Sequence, residues 1–255
     1  MIDSHVHLDD PKFDYDREDI INSLKDRGID RVYNIGADLE SSIASVSLAK
    51  KYDNIKAVIG IHPHDAINYN DKVEEKLIDL AKDENVRAIG EIGLDYYYDN
   101  SPRDIQVEVF KRQIELADKL NLPIVVHSRD ASEETFNIIK ESKEKYPNLT
   151  FLIHCFSQSV EMMKRYIDQG CYIALGGVVT FKNAKVPKEV AKEVPLNRLL
   201  LETDCPYLAP TPMRGKRNEP YYVKYVAEEI ASIRNMEVKD LVEITDANTR
   251  RFYND

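Results

Sequence analysis

The chain carries six histidines, and where they fall matters more than how many there are. His5 and His7 stand in D-S-H-V-H, His62 and His64 in G-I-H-P-H-D, His127 in I-V-V-H-S-R and His154 in F-L-I-H-C-F. Each group follows a short apolar run of the kind that forms a buried strand. Imidazole is the commonest protein metal ligand, and in parallel barrels chemistry gathers where the strands end. The pattern points to a metal centre at the mouth of such a barrel.

Carboxylates complete the set. Strand side chains alternate faces, so His5 and His7 project the same way and could share one ion. Glu91 lies in A-I-G-E-I-G-L-D. A carboxylate among glycines and isoleucines is costly to bury unless a neighbouring strand pairs it or a metal binds it. As a ligand, its two oxygens can each meet one ion. A lone histidine after an apolar run is ordinarily a hydrogen-bonded core residue, but His127 and His154 end successive strands at the same edge as Glu91. Asp204, in L-L-L-E-T-D-C-P-Y, either caps the turn before Pro206 or is a terminal ligand able to accept a proton from a nucleophilic water. Glu202 shares its face one step deeper and is expected to hydrogen-bond.

Two divalent ions about 3.5–4 Å apart polarise a phosphoryl or carbonyl group and lower the pKa of a shared water, whose bridging hydroxide attacks in line. The donor set admits Mg, Mn or Zn. Pro63 is expected to end a strand between His62 and His64, which suits these two to supporting the ligands or touching a substrate phosphate. Arg129, two residues past His127, reads as a bidentate phosphate contact or a surface ion pair. Arg214 and Lys216, in T-P-M-R-G-K-R-N, read as substrate-backbone contacts or a solvated basic turn. Tyr96, Tyr97 and Tyr98 either stack single-stranded bases or pack a loop. Cys155 and Cys205 sit one residue from candidate ligands, so alternation turns them away and zinc thiolate ligation is not expected.

These groups need elements to position them. Apolar segments at 1–8, 31–37, 56–62, 87–94, 123–128, 150–156, 171–177 and 198–204 read as strands. Amphipathic stretches separate them. The clearest is 105–120, with Ile105, Val109, Ile114, Leu116, Ala117 and Leu120 on a helical period. Near-continuous apolar strands alternating with helices mean a parallel sheet covered on both faces. Eight of them predict an α/β fold of the (β/α)8 TIM-barrel type. A doubly wound open sheet would place a glycine-rich loop after an early strand, whereas N-I-G-A-D holds a single glycine. The tail at 221–252 reads as two closing helices. No linker or compositional break appears, so residues 1–255 are expected to form a single domain.

Hydrophobic residues make up 43% and charged residues 31%, ordinary values for a globular protein. With 35 basic and 45 acidic residues the net charge is −10, which argues against broad adhesion to duplex nucleic acid. It leaves open a site acting on one phosphodiester, because a bound cation supplies local positive charge. No tract of about 18 apolar residues exists, the first residues lack a signal-peptide pattern, and three cysteines without C-x-x-C spacing do not suggest a disulfide framework. The expectation is a cytoplasmic monomer with no membrane partner.

Taken together, H-x-H, G-I-H-P-H, E-I-G-L-D, V-V-H-S-R, H-C-F, E-T-D-x-P-Y and R-G-K-R-N-E-P occur in the order seen in TatD-like metal-dependent deoxyribonucleases, within the amidohydrolase superfamily. The resemblance spans residues 2–252. It implies one ion held by His5, His7, Glu91 and Asp204, and another by Glu91, His127 and His154. Related amidohydrolases often bridge their metals with a carbamylated lysine; here Glu91 fills that place. The resemblance implies hydrolysis of DNA phosphodiesters, at 3′ ends or in single strands. Release of D-aminoacyl esters from tRNA is the alternative within the same chemistry, and a noncatalytic metal-binding barrel the alternative outside it.

Overall fold

A computed structural model describes all 255 residues. Eight strands form one sheet in the order β1 to β8: Ile2–Val6, Arg31–Ile35, Ile55–Ile59, Val86–Asp95, Ile124–Arg129, Phe151–Ile153, Tyr172–Leu175 and Leu199–Leu201. Every adjacent pair is parallel. β8 and β1 meet just past the last ladder, through a parallel bridge between Val6 and Cys205 and a bond from the His7 N–H to the Cys205 carbonyl of 2.8 Å. The result is the TIM barrel that the alternation of apolar strands and helices predicts.

Helices cross between consecutive strands: α1 Arg17–Ser23, α2 Leu39–Lys51, α3 Asp71–Leu80, α4 Arg103–Leu120, α5 Ser132–Lys145, α6 Val160–Asp168 and α7 Lys185–Glu193. Local chemistry sets their ends. Asp38 and Ser41 form a capping box at the start of α2, and Asn121 stops α4 in a left-handed conformation. The tail folds as α8 Val223–Arg234 and α9 Val238–Tyr253, the two closing helices expected. No helix is long and apolar enough to cross a membrane.

The alternation of strand residues sorts the core into two layers. Val58, Val125, Leu152, Ala174 and Leu200 belong to a 12-residue interior cluster. Their neighbours Ala57, Val126, Ile153, Ile173 and Leu201 belong to a 55-residue cluster shared with the helices. The end of α9 joins the interior: the Tyr253 ring stacks 3.7 Å from Tyr33, and its hydroxyl donates to the Ser4 carbonyl. The interior is therefore a packed plug, which leaves the C-terminal mouth for chemistry.

Several strands end earlier than their apolar runs suggest. β3 stops at Ile59, β6 at Ile153 and β8 at Leu201, so His62, His154 and Asp204 lie beyond the ladders, as does His7 beyond β1. Near a barrel mouth the strands splay, and backbone groups there bond to turns and side chains instead. The His62 N–H, for example, donates to the Ala37 carbonyl. β4 runs further than expected, to Asp95, and lies close against β5. Gly93 permits this approach, since with φ 148° any Cβ there would come within 1.9 Å of the His127 carbonyl oxygen.

Candidate metal centre

β4 delivers Glu91 into the mouth, 4% exposed. Its two oxygens face different partners. Oε1 lies 2.7 Å from His127 Nδ1 and 2.7 Å from His154 Nε2, with His62 Nε2 at 3.6 Å. Oε2 lies 3.3 Å from His5 Nε2 and 4.0 Å from His7 Nε2. Asp204 closes the second side, its Oδ1 at 3.5 Å from His7 and 3.8 Å from His5. The other five residues expected to ligate thus gather around the Glu91 carboxylate from the ends of four further strands.

Three sets have their donor atoms close enough to share an ion: His5, Glu91 and His154; His5, His7 and Asp204; and His62, Glu91 and His127. His127 and His154, expected to share one ion, both contact Oε1 but fall in different sets. His62 joins that side, closer to the centre than its sequence position suggests.

The far nitrogens of the histidines say which could bind a cation. His7 Nδ1 lies 3.0 Å from the Ile35 carbonyl, and His127 Nε2 lies 3.0 Å from Asp95 Oδ2. Both partners accept only, so each holds a proton on that nitrogen, and the other nitrogen faces the carboxylates, where a cation would displace its proton and take the lone pair. His62 is wired the opposite way. Its Nδ1 accepts the His64 N–H, so a neutral His62 carries its proton on Nε2, toward Glu91. It faces the centre as a donor rather than as a ligand.

Asp95 escaped the sequence reading. It is fully buried, its Oδ2 meets both His64 Nε2 and His127 Nε2 at 3.0 Å, and its Oδ1 accepts the N–H groups of Tyr97 and Tyr98. The signal was present: Asp95 is four residues past Glu91, on the same strand. His64 therefore separates from His62, with its Nε2 turned to Asp95. Glu202 is fully buried, accepts the Cys155 N–H at 2.6 Å and lies 3.7 Å from His154 Nδ1.

The electrostatics suit a cation. Burial alone would raise the Glu91 carboxyl, yet the charge of His154 and bonds from His127, His154 and His5 hold it well below the usual range. Burial pulls His7 down, but Asp204 more than offsets this and brings it to about 9. Burial, reinforced by the neighbouring His127, pushes His62 down to about 4. A centre whose carboxylates stay ionised and draw protons onto imidazoles is one where a metal ion fits. Backbone strain collects here as well. Asp204 has φ 59° and Cys155, next to His154, φ 44°, and unlike Asn121 neither ends a helix.

The basic candidates do not bond to the centre. Arg129 lies over the rings of Tyr97 and Tyr98, at 4.0 and 4.8 Å. Arg214 stacks on Phe181 at 3.9 Å, and Lys216 is exposed in the turn. No hydrogen bond or ion pair ties any of the three to Glu91, Asp204 or the histidines. The third base of that loop, Arg217, is committed to Asp16 and Glu219.

A TIM barrel with carboxylates and histidines converging at its C-terminal mouth defines a metal-dependent hydrolase. The sequence matches the family described as TatD related DNase over residues 2–254. It is 45% identical to the uncharacterized metal-dependent hydrolase YabD of Bacillus subtilis, across 99% of this chain and 98% of that protein. It is 32% identical to the 3′-5′ ssDNA/RNA exonuclease TatD of Shigella flexneri, across 99% and 98% of the two chains. The crystal structure of YjjV, a TatD homologue from Escherichia coli, superposes with a TM-score of 0.93 at 27% identity, covering 100% of this chain and 98% of that one. The chain belongs to the TatD family of metal-dependent hydrolases, which act on ester bonds.

Proposed function

We propose that this protein, acting as a single-domain monomer, hydrolyses DNA phosphodiester bonds, removing nucleotides from 3′ ends or single strands with two divalent ions of Mg, Mn or Zn. The observation that carries the reading is the split of Glu91: Oε1 toward His127 and His154, Oε2 toward His5 and His7. One carboxylate with a separate histidine pair on each oxygen suits two cations, with His5, His7 and Asp204 completing one site and His127 with His154 the other. Bound there, the ions would supply Lewis acidity and a water acidic enough to ionise near neutral pH.

The protein's own groups do the rest. Asp204 stands 3.5 Å from His7 and 3.8 Å from His5. Its backbone is pinned by its N–H to the His5 carbonyl, which holds the carboxylate where it can take a proton from the attacking water. His62 offers an N–H on the Glu91 Oε1 side, suited to a phosphoryl oxygen as negative charge builds. Asp95 fixes the orientation of His127. Arg129, Arg214 and Lys216 are left for the substrate backbone. The relative from Shigella flexneri, named for 3′-5′ cleavage of single strands, supports the same substrate.

The test is metal-stripped protein given 3′- and 5′-labelled single- and double-stranded DNA, with Mg, Mn or Zn restored, beside Glu91→Ala. Metal-dependent laddering from the 3′ end, lost in the variant, is the expected result. Intact DNA with every metal, while metal binding is demonstrated, would overturn the nuclease reading and direct the assay to aminoacyl esters of tRNA.

A further inference from the structure

Past β4 the chain carries three consecutive tyrosines with different fates. Tyr96 is used internally: its hydroxyl donates to Glu134, and Arg103 lies 4.3 Å from its ring. Tyr97 and Tyr98 are 58% and 55% exposed, with rings 5.0 Å apart at 89°. Loop packing accounts for Tyr96 and not for these two. Their backbone N–H groups both bond to Asp95 Oδ1, while Oδ2 of the same carboxylate meets His64 and His127. One buried side chain thus ties the backbone of both exposed tyrosines to the centre. The Tyr98 ring also meets His64 edge-on, 5.3 Å between centroids.

Arg129 supplies the second feature. It ends β5, two residues after His127, and its guanidinium lies over both rings. It makes no ion pair and no side-chain hydrogen bond, whereas Arg103 and Arg165 nearby each pair with a carboxylate. An uncommitted cation in a chain of net charge −10, held against two exposed aromatic faces beside the centre, calls for a ligand with a flat ring and an anion close to it. A nucleotide of a single strand has both. A base inside a duplex has its faces covered by its neighbours.

We infer that Tyr97, Tyr98 and Arg129 form a subsite that stacks an unpaired base of single-stranded DNA next to the bond that is cut and contacts an adjoining phosphate. The inference rests on the nuclease reading above and adds to it a reason for preferring unpaired ends. Base–aromatic stacking on this pattern gives on the order of ten- to a hundredfold in affinity per base.

Two measurements test it. The first binds a single strand carrying 2-aminopurine near its 3′ end, with phosphorothioate linkages so that it stays whole. The wild-type protein should quench the fluorophore. The Tyr97→Ala/Tyr98→Ala variant should bind on the order of ten- to a hundredfold more weakly without quenching, and the corresponding Phe variant should match wild type. The second compares cleavage of normal strands with strands abasic at that position. The alanine variant should lose the preference for the normal strand yet cut the abasic one as wild type does. Arg129→Gln should weaken both strands alike, with a shallower salt dependence. Quenching that survives in the alanine variant, or an equal loss on abasic strands, would overturn the subsite. A strand that binds and quenches but is never cut would uphold the subsite and remove the nuclease reading; cutting with neither quenching nor base preference would do the reverse.

Discussion

Asp95 and His127 are joined through Oδ2 and Nε2 at 3.0 Å, and the same oxygen receives His64 Nε2 at the same distance. Both carboxylate oxygens are spoken for, Oδ1 by the N–H groups of Tyr97 and Tyr98. Every partner that fills Asp95 is a donor. Asp95→Asn must turn an NH2 group against either the two imidazoles or the two amides, so it cannot substitute quietly. The expected outcome is a ten- to hundredfold loss of metal affinity or activity with the far-UV circular dichroism of the barrel kept. Metal titration beside steady-state kinetics checks it, and unchanged values in both would show that His127 needs no such support.

His62 and His127 both face Glu91 Oε1, but the far nitrogen of His127 meets an acceptor, Asp95, whereas that of His62 accepts the His64 N–H. His127→Leu should therefore lower the metal content per chain. His62→Leu should leave it unchanged while reducing kcat on the order of a hundredfold, the usual effect of removing one donor to developing charge. Elemental analysis of the two purified variants, followed by kinetics, separates the roles. Loss of metal from the His62 variant would make it a ligand.

Which parts of this centre were legible in the sequence follows from strand parity. Val125 and His127, Leu152 and His154, and Leu200, Glu202 and Asp204 each keep an even spacing, so interior residues lower in the barrel point to site residues above them. β1 and β4 break this rule. Ile2 belongs to the interior, yet His5 also points inward; Ala88 does, yet so does Glu91. The register shifts between Asp3 and Val6, and between Ile89 and Ile92, account for both. Such irregularities come from how strands meet. A Cβ on Gly90, for instance, would fall 2.7 Å from the Val125 Cβ. His62 was hard to place for a related reason: the apolar run continues to it, but the β3 ladder ends at Ile59. Asp95, by contrast, was within reach of periodicity and was overlooked beside the stronger signal of Glu91.

Metal removal should separate function from folding. The interior cluster and the α9 plug include none of the residues of the centre. A chelator is therefore expected to abolish hydrolysis with little change in far-UV circular dichroism. Loss of a ligand present at about a hundred times its Kd lowers stability by about 3 kcal/mol, or roughly 5–10 °C in Tm for a chain of this size. Scanning calorimetry with and without chelator, then with Mn restored, measures both effects. Collapse of the secondary structure on chelation would show that the ions hold the fold itself.

Cys171 offers a pH test remote from the centre. It is fully buried just before β7, and burial pushes its thiol up to about 12 from an ordinary value of 9.0. The unfolded chain releases this proton first, so above pH 9 the unfolded state binds fewer protons and stability must fall. The thiol's contribution is complete below about pH 9 and is lost as pH climbs toward 12. Cys171→Ala lacks that dependence, although it sacrifices some packing. The stability advantage of wild type over the variant should therefore hold steady up to pH 9, then shrink by about 1.4 kcal/mol per pH unit. Urea unfolding of both proteins under reducing conditions from pH 8 to 11 measures the gap directly. A gap that stays constant across this range would mean that the thiol ionises equally in the folded and unfolded chain, and that Cys171 is more open to solvent than its packing indicates.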